Sequence, residues 1–178
     1  MKKVVLFILT VILIFSFTAC GKNASATGKW AYNYEPETTV LEVRRNGQAV
    51  YNGASYSCKD DGQFLVLSSA GEELHLRYLL KDGDMLLYIP TEYGYSGEGT
   101  PKDLTGLWQT GDKKWSFEFT EDGRFSEDGL FSGNFTADKG SSTFTLIYNE
   151  DFADTVCYYS INGNTLTVEY PWTMVKGK

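Results

Sequence analysis

Apolar and polar residues alternate one for one along much of this chain. Leu41 and Val43 flank Glu42, and Phe117 and Phe119 flank Glu118. Leu74, Leu76 and Tyr78 interleave with His75 and Arg77, and Leu166, Val168 and Tyr170 with Thr167 and Glu169. A period of two marks a half-buried strand, because successive side chains leave opposite faces of the backbone. Between such segments lie Asn46-Gly47, Asp82-Gly83, Asp122-Gly123 and Asn162-Gly163. These dipeptides accept positive φ at little cost and predict two-residue hairpin turns. No segment after Cys20 carries a helical period. The pattern therefore predicts an all-β fold, an antiparallel meander in which hairpins join successive strands.

The pattern is also written twice. Thr27-Gly28-Lys29-Trp30 returns as Thr105-Gly106-Leu107-Trp108, and Leu41-Glu42-Val43 with Asn46-Gly47 returns as Phe117-Glu118-Phe119 with Asp122-Gly123. Phe64-Leu65-Val66-Leu67 aligns with Phe144-Thr145-Leu146-Ile147, Tyr78 with Tyr158, and Lys81-Asp82-Gly83-Asp84 with Ile161-Asn162-Gly163-Asn164. Ile89-Pro90 and Tyr170-Pro171 close the halves. This divides the folded body into a β repeat over 28–90, a linker loop over 91–103 and a second β repeat over 104–178. A meander of about five or six strands leaves two open edges, which makes one copy marginal. Two copies remove the edges by closing into one barrel or pairing as half-barrels, and this is preferred to independent domains.

The amino terminus breaks the alternation. Lys2 and Lys3 precede an almost unbroken apolar run from Val4 to Phe17. That run falls short of the roughly 20 residues needed to span a bilayer and reads as a signal-peptide core. Phe17-Thr18-Ala19-Cys20 resembles the lipobox of bacterial lipoproteins, with Phe17 where Leu is commonest. The resemblance implies a signal peptide over 1–19, cleavage before Cys20 and a diacylglyceryl group with acyl chains such as palmitate on that cysteine. Residues 20–27, small and polar, then form a lipidated tether. Two acyl chains anchor durably where one does not, so the expected location is the extracytoplasmic face of the cell membrane.

A second resemblance follows from Leu104-Thr105-Gly106-Leu107-Trp108, Ser116 to Phe125 and Gly163-Asn164-Thr165-Leu166. These segments are similar to the lipocalin-like lipoprotein modules of Gram-positive bacteria, which open on Gly-x-Trp and carry an apolar strand ending in Asx-Gly. Gly28-Lys29-Trp30 and Gly83-Asp84-Met85-Leu86 match more loosely. The resemblance implies a barrel-like fold with Trp30 and Trp108 as structural plugs, and a ligand cavity.

Composition refines this picture. The formal charge is −7, and −9 once Lys2 and Lys3 are removed, which argues against nucleic acid and against adsorption to anionic lipid. Cys58 and Cys157 remain after Cys20, far apart in sequence, and either a disulfide or two buried thiols is compatible with an exported chain. The single histidine, His75, is expected on a solvent-facing strand position without a nucleophile motif. No Cys or His cluster has zinc-ligand spacing, and Asp60-Asp61-Gly62, Asp82-Gly83-Asp84 and Asn149 to Asp154 match no calcium loop. Neither a cofactor nor catalysis is expected. Aromatic residues make up 15% of the chain, more than a core of this size requires, and Tyr93, Tyr95, Tyr170 and Trp172 are candidate contacts for a ligand or partner. The leading expectation is a non-catalytic binding module for a small apolar or aromatic molecule, a sugar or a surface polymer. Its rivals are an interaction or inhibitor module acting through loop 91–103 and, further off, a carboxylate hydrolase.

Overall fold

A computed structural model describes residues 25–177. The signal peptide, Cys20 and most of the tether lie outside the described residues. The first half contains β1 (Gly28–Tyr32), β2 (Thr39–Arg44), β3 (Gln48–Tyr51), β4 (Ala54–Asp60), β5 (Phe64–Ser69), β6 (Glu72–Lys81) and β7 (Asp84–Tyr95). The second contains β8 (Gly106–Gln109), β9 (Ser116–Phe119), β10 (Arg124–Glu127), β11 (Phe131–Asp138), β12 (Thr143–Tyr148), β13 (Thr155–Asn162) and β14 (Thr165–Lys176). The fold is all-β, and each strand pairs antiparallel with its sequence neighbours around a closed ring.

One further pairing reshapes that ring. β7 and β14 lie side by side from Met85↔Met174 to Gly94↔Thr165. Each is twice the length of a typical strand and serves two circuits. The start of β7 pairs with β6 while Gly94 and Tyr95 pair with β8. The start of β14 pairs with β13 while Met174 to Lys176 pair with β1. The ring is thus pinched into two barrel-like circuits, β1–β7 completed by the end of β14, and β8–β14 completed by the end of β7.

The core divides in the same way. Trp30, Leu41, Leu65, Leu67, Leu76, Met85, Leu87 and Met174 form one cluster; Trp108, Phe117, Phe119, Phe144, Leu146, Cys157, Leu166 and Val168 form the other. Met174 belongs to the first cluster and Tyr93 to the second, so each half completes the other's core. Trp30 and Trp108 are buried, and each Nε1–H donates to a carbonyl four residues earlier, Ala26 O and Leu104 O, at 2.6 Å in both cases. Lys176 Nζ lies 3.5 Å from the Trp30 ring centroid, and Tyr95 packs on Trp108 at 5.1 Å. These caps explain the glycines of the two Gly-x-Trp motifs. Gly28 and Gly106 have φ of 136° and 122°, and an added Cβ would meet Lys176 or Tyr95.

Several expectations need correction. Each half holds seven strands and not five or six, because β3 has no polar residue between its apolar ones and β10 has a single apolar residue. The expected linker at 91–103 is strand through Tyr95, since Thr91 to Gly94 pair with β14. Of the four expected two-residue turns, Asp82-Gly83 alone fits, closed by Lys81↔Asp84 with both φ positive. Arg44↔Gln48 leaves three residues around Asn46-Gly47, and Thr120 N–H donates to Arg124 O across a three-residue loop at Asp122-Gly123. There one left-handed glycine ends the loop, the three-residue alternative. Asn162 is the last residue of its strand, leaving Gly163-Asn164 as the turn. Cys58 and Cys157 are both free thiols, and they pack against different core clusters.

Candidate functional site

The two circuits leave a cleft between them, floored by the middle of the β7–β14 ribbon. Ile89 and Tyr170, paired across the ribbon, both face it, with Thr91, Tyr93 and Trp172 on the same faces of their strands. The alternation that buries Met85 and Leu87 at one end of β7 and Tyr93 at the other continues through the middle, where neither barrel covers it. The cleft has a volume of about 570 Å³. The first half contributes Tyr32, Tyr51 and Asn52; the second contributes Trp115, Glu127, Asp128, Phe131, Tyr148, Phe152 and Thr155.

Its walls are aromatic. Tyr32 stacks on Tyr34 at 5.2 Å, and both rings pack against Trp172, at 5.4 and 6.3 Å. On the opposite side Phe131, Tyr148 and Phe152 form an edge-to-face trio with centroids 5.6 to 6.5 Å apart. Trp115 and Phe152 remain more than half exposed at the rim, 57% and 55%. Large apolar side chains left in water around a concavity are the unusual feature, since isolated exposed residues need no explanation.

The polar groups converge on one wall. Tyr148 Oη donates to Glu127 Oε2 at 2.8 Å and lies 3.1 Å from Tyr170 Oη. Burial pushes the Glu127 carboxyl above the ordinary carboxylate range; the Tyr148 hydrogen bond opposes this and the neighbouring Asp128 adds to it. Burial likewise raises the phenols of Tyr148, Tyr170 and Tyr93, and that of Tyr32 is pushed up to about 12. Asp128 Oδ1 accepts the Ser116 N–H, which ties the β10–β11 turn to β9. Among the described residues no Lys, Arg or His lines the cleft.

The chain folds this way locally because each half places a turn beside the ribbon. Asn52 and Asp128, both at positive φ and both followed by glycine, come directly after β3 and β10. Asn52 N–H bonds Val40 O, and Asp128 N–H bonds Ser116 O, in the same manner. Glu127 therefore occupies the place that Tyr51 holds in the first half. Of the aromatic residues singled out from sequence, Tyr93, Tyr170 and Trp172 meet at the cleft, whereas Tyr95 is spent on Trp108. Glu127, Asp128, Trp115 and the Phe131–Tyr148–Phe152 trio were missed. The substitution of Glu127 for Tyr51 between aligned halves, and Trp115 and Phe152 stranded in polar loops, are the signals that point to them.

The other candidates are accounted for locally. His75 is exposed beside Glu73, at 3.4 Å. Asp60 Oδ1 accepts Tyr78 Oη–H and Gly62 N–H, and Asp61 Oδ1 accepts the amides of Gln63 and Phe64, so this pair caps the β4–β5 turn. Among the described residues no group of three or more His, Cys, Asp or Glu is placed to hold a metal ion. No family model, curated protein or solved structure matches the chain.

Proposed function

We propose that the protein is a non-catalytic binding module, held on the extracytoplasmic face of a membrane through lipid on Cys20, that takes a small ring-bearing molecule into the cleft between its two barrels. The observation that carries this reading is an aromatic-walled concavity of about 570 Å³ with polar groups on one side, a size and lining suited to a small molecule. Its aromatic faces offer stacking area, and Tyr148, Tyr170 and Glu127 offer hydrogen bonds that fix orientation. The sequence supports the anchor, and the acidic body keeps the module from adsorbing to anionic lipid.

Native mass spectrometry of the full chain, extracted from its host membrane in mild detergent, tests this reading. The expected result is a reproducible added mass that disappears on denaturation and in Trp172→Ala. A bare mass for both proteins would count against a cleft binder.

One observation favours a carboxylate hydrolase, the raised pKa of Glu127. Glycoside hydrolysis needs a second carboxyl across the scissile bond, roughly 5 to 9 Å away. Asp128 is the adjacent residue on the same wall and is held by Ser116, which disfavours that arrangement.

A further inference from the structure

We infer that the cleft selects an organic cation: an ammonium head held at the Glu127–Asp128 wall, with an apolar or aromatic body lying toward Tyr32, Tyr51 and Ile89. This rests on the cleft being the ligand site and goes on to name the ligand's chemistry.

Charge is the first reason. Among the described residues, two acidic residues and no basic residue line the cleft. Glu127 makes no ion pair among the described residues; its Oε2 takes the Tyr148 hydroxyl, and no hydrogen bond engages its Oε1. A half-buried carboxylate without a counter-ion is costly, and the cost falls when a cation arrives from solution. An anion meets the same wall with repulsion, added to that of a chain carrying a formal −7.

The aromatic walls are the second reason. Ring faces attract cations through their quadrupole, most strongly for tryptophan, and the attraction grows as water is excluded. Trp172 closes one side of the cleft against Tyr32, and Trp115 stands on its rim beside the acidic wall. A neutral apolar guest would use these rings without needing Glu127.

Asymmetry is the third reason. At the places equivalent to Glu127 and Asp128, the first half has Tyr51 and Asn52, which are neutral. The negative charge therefore lies on one side, and a guest with one charged end enters in one orientation.

The test is a fluorescence and calorimetric titration of the full chain in nonionic detergent with benzyltrimethylammonium, benzyl alcohol and phenylacetate. Benzyltrimethylammonium is expected to bind at least tenfold more tightly than benzyl alcohol, with no measurable binding of phenylacetate. Glu127→Gln, which keeps the shape and the acceptor for Tyr148, is expected to cost the cation at least tenfold more affinity than it costs benzyl alcohol. Equal affinity for cation and alcohol, or cation binding unaffected by Glu127→Gln, would overturn the inference while leaving the cleft as an apolar site. Binding of none of the three probes would overturn the inference and count against the cleft reading as well. Should Glu127→Gln fail to fold, the wild-type preference for cation over alcohol decides alone.

Discussion

At the residue scale, Glu127 departs from what the fold requires, a half-buried carboxyl where the first half has Tyr51. Its folded-state pKa is raised chiefly by burial, so the native state holds the proton more tightly than the unfolded chain does. The stability that this contributes is fully present below the unfolded carboxyl pKa, about 4.3, and is lost as pH rises through the folded value. At neutral pH the ionised Glu127 is a net cost, shared with Asp128 and only partly offset by Tyr148. Glu127→Gln is therefore expected to raise the thermal midpoint at pH 7, with the gain vanishing below about pH 4. A lower midpoint at pH 7 would show that the carboxylate is stabilised by something other than these neighbours. The thiols make a second case. Burial raises both, and Cys157 lies within the core while Cys58 is half-buried. A disulfide-exchange reagent should modify Cys58 slowly and leave Cys157 untouched until unfolding, when both react without prior reduction. The tryptophans are a third: Trp108→Ala should cost about 3–5 kcal/mol in chemical denaturation, from the lost core volume and from the Leu104 carbonyl left without its donor.

At the scale of elements, the period-two pattern located most strands but not their register. Aligning Lys81 with Ile161 is one residue out, because Lys81↔Asp84 and Asn162↔Thr165 are the equivalent closing pairs. Burial agrees, with Met85 matching Leu166 and Leu87 matching Val168. A slip of one exchanges inward and outward faces, which is why burial resolves what similarity of residues left ambiguous. Gly133 tests strand packing, because a Cβ there would land on the Ile147 carbonyl oxygen of β12. Gly133→Ala should destabilise by about 1–3 kcal/mol, the usual cost of overpacking, read as a lower midpoint in urea. On the outer face, Arg77 from β6 bonds Glu169 on β14 at 2.8 Å and sits between Phe64 and Tyr158, 4.4 and 3.9 Å from their centroids. This cluster ties the first half to the second. Arg77→Ala should lower stability by about 1–2 kcal/mol, because stacking, stem packing and a partly buried ion pair are lost together.

At the scale of the molecule, β7 and β14 make the halves interdependent. Each circuit lacks its last wall without the far end of the other half's long strand, and each core cluster includes a residue from it. The described body should unfold in a single calorimetric transition, and residues 25–103 expressed alone should not yield a folded monomer. Two separable transitions, or a stable monomeric fragment, would show that the shared ribbon matters less than its pairing implies. By itself, the sequence determined the all-β class, most of the strands and the places where the chain turns. These follow from short-range chemistry: alternation, and left-handed Gly and Asx. Only the tertiary structure decided that the ring is pinched into two circuits, how many residues each turn spans, and that Tyr32, Glu127, Tyr148 and Trp172 meet. Those depend on strand register and on which edge closes on which, and the residues they bring together lie far apart along the chain.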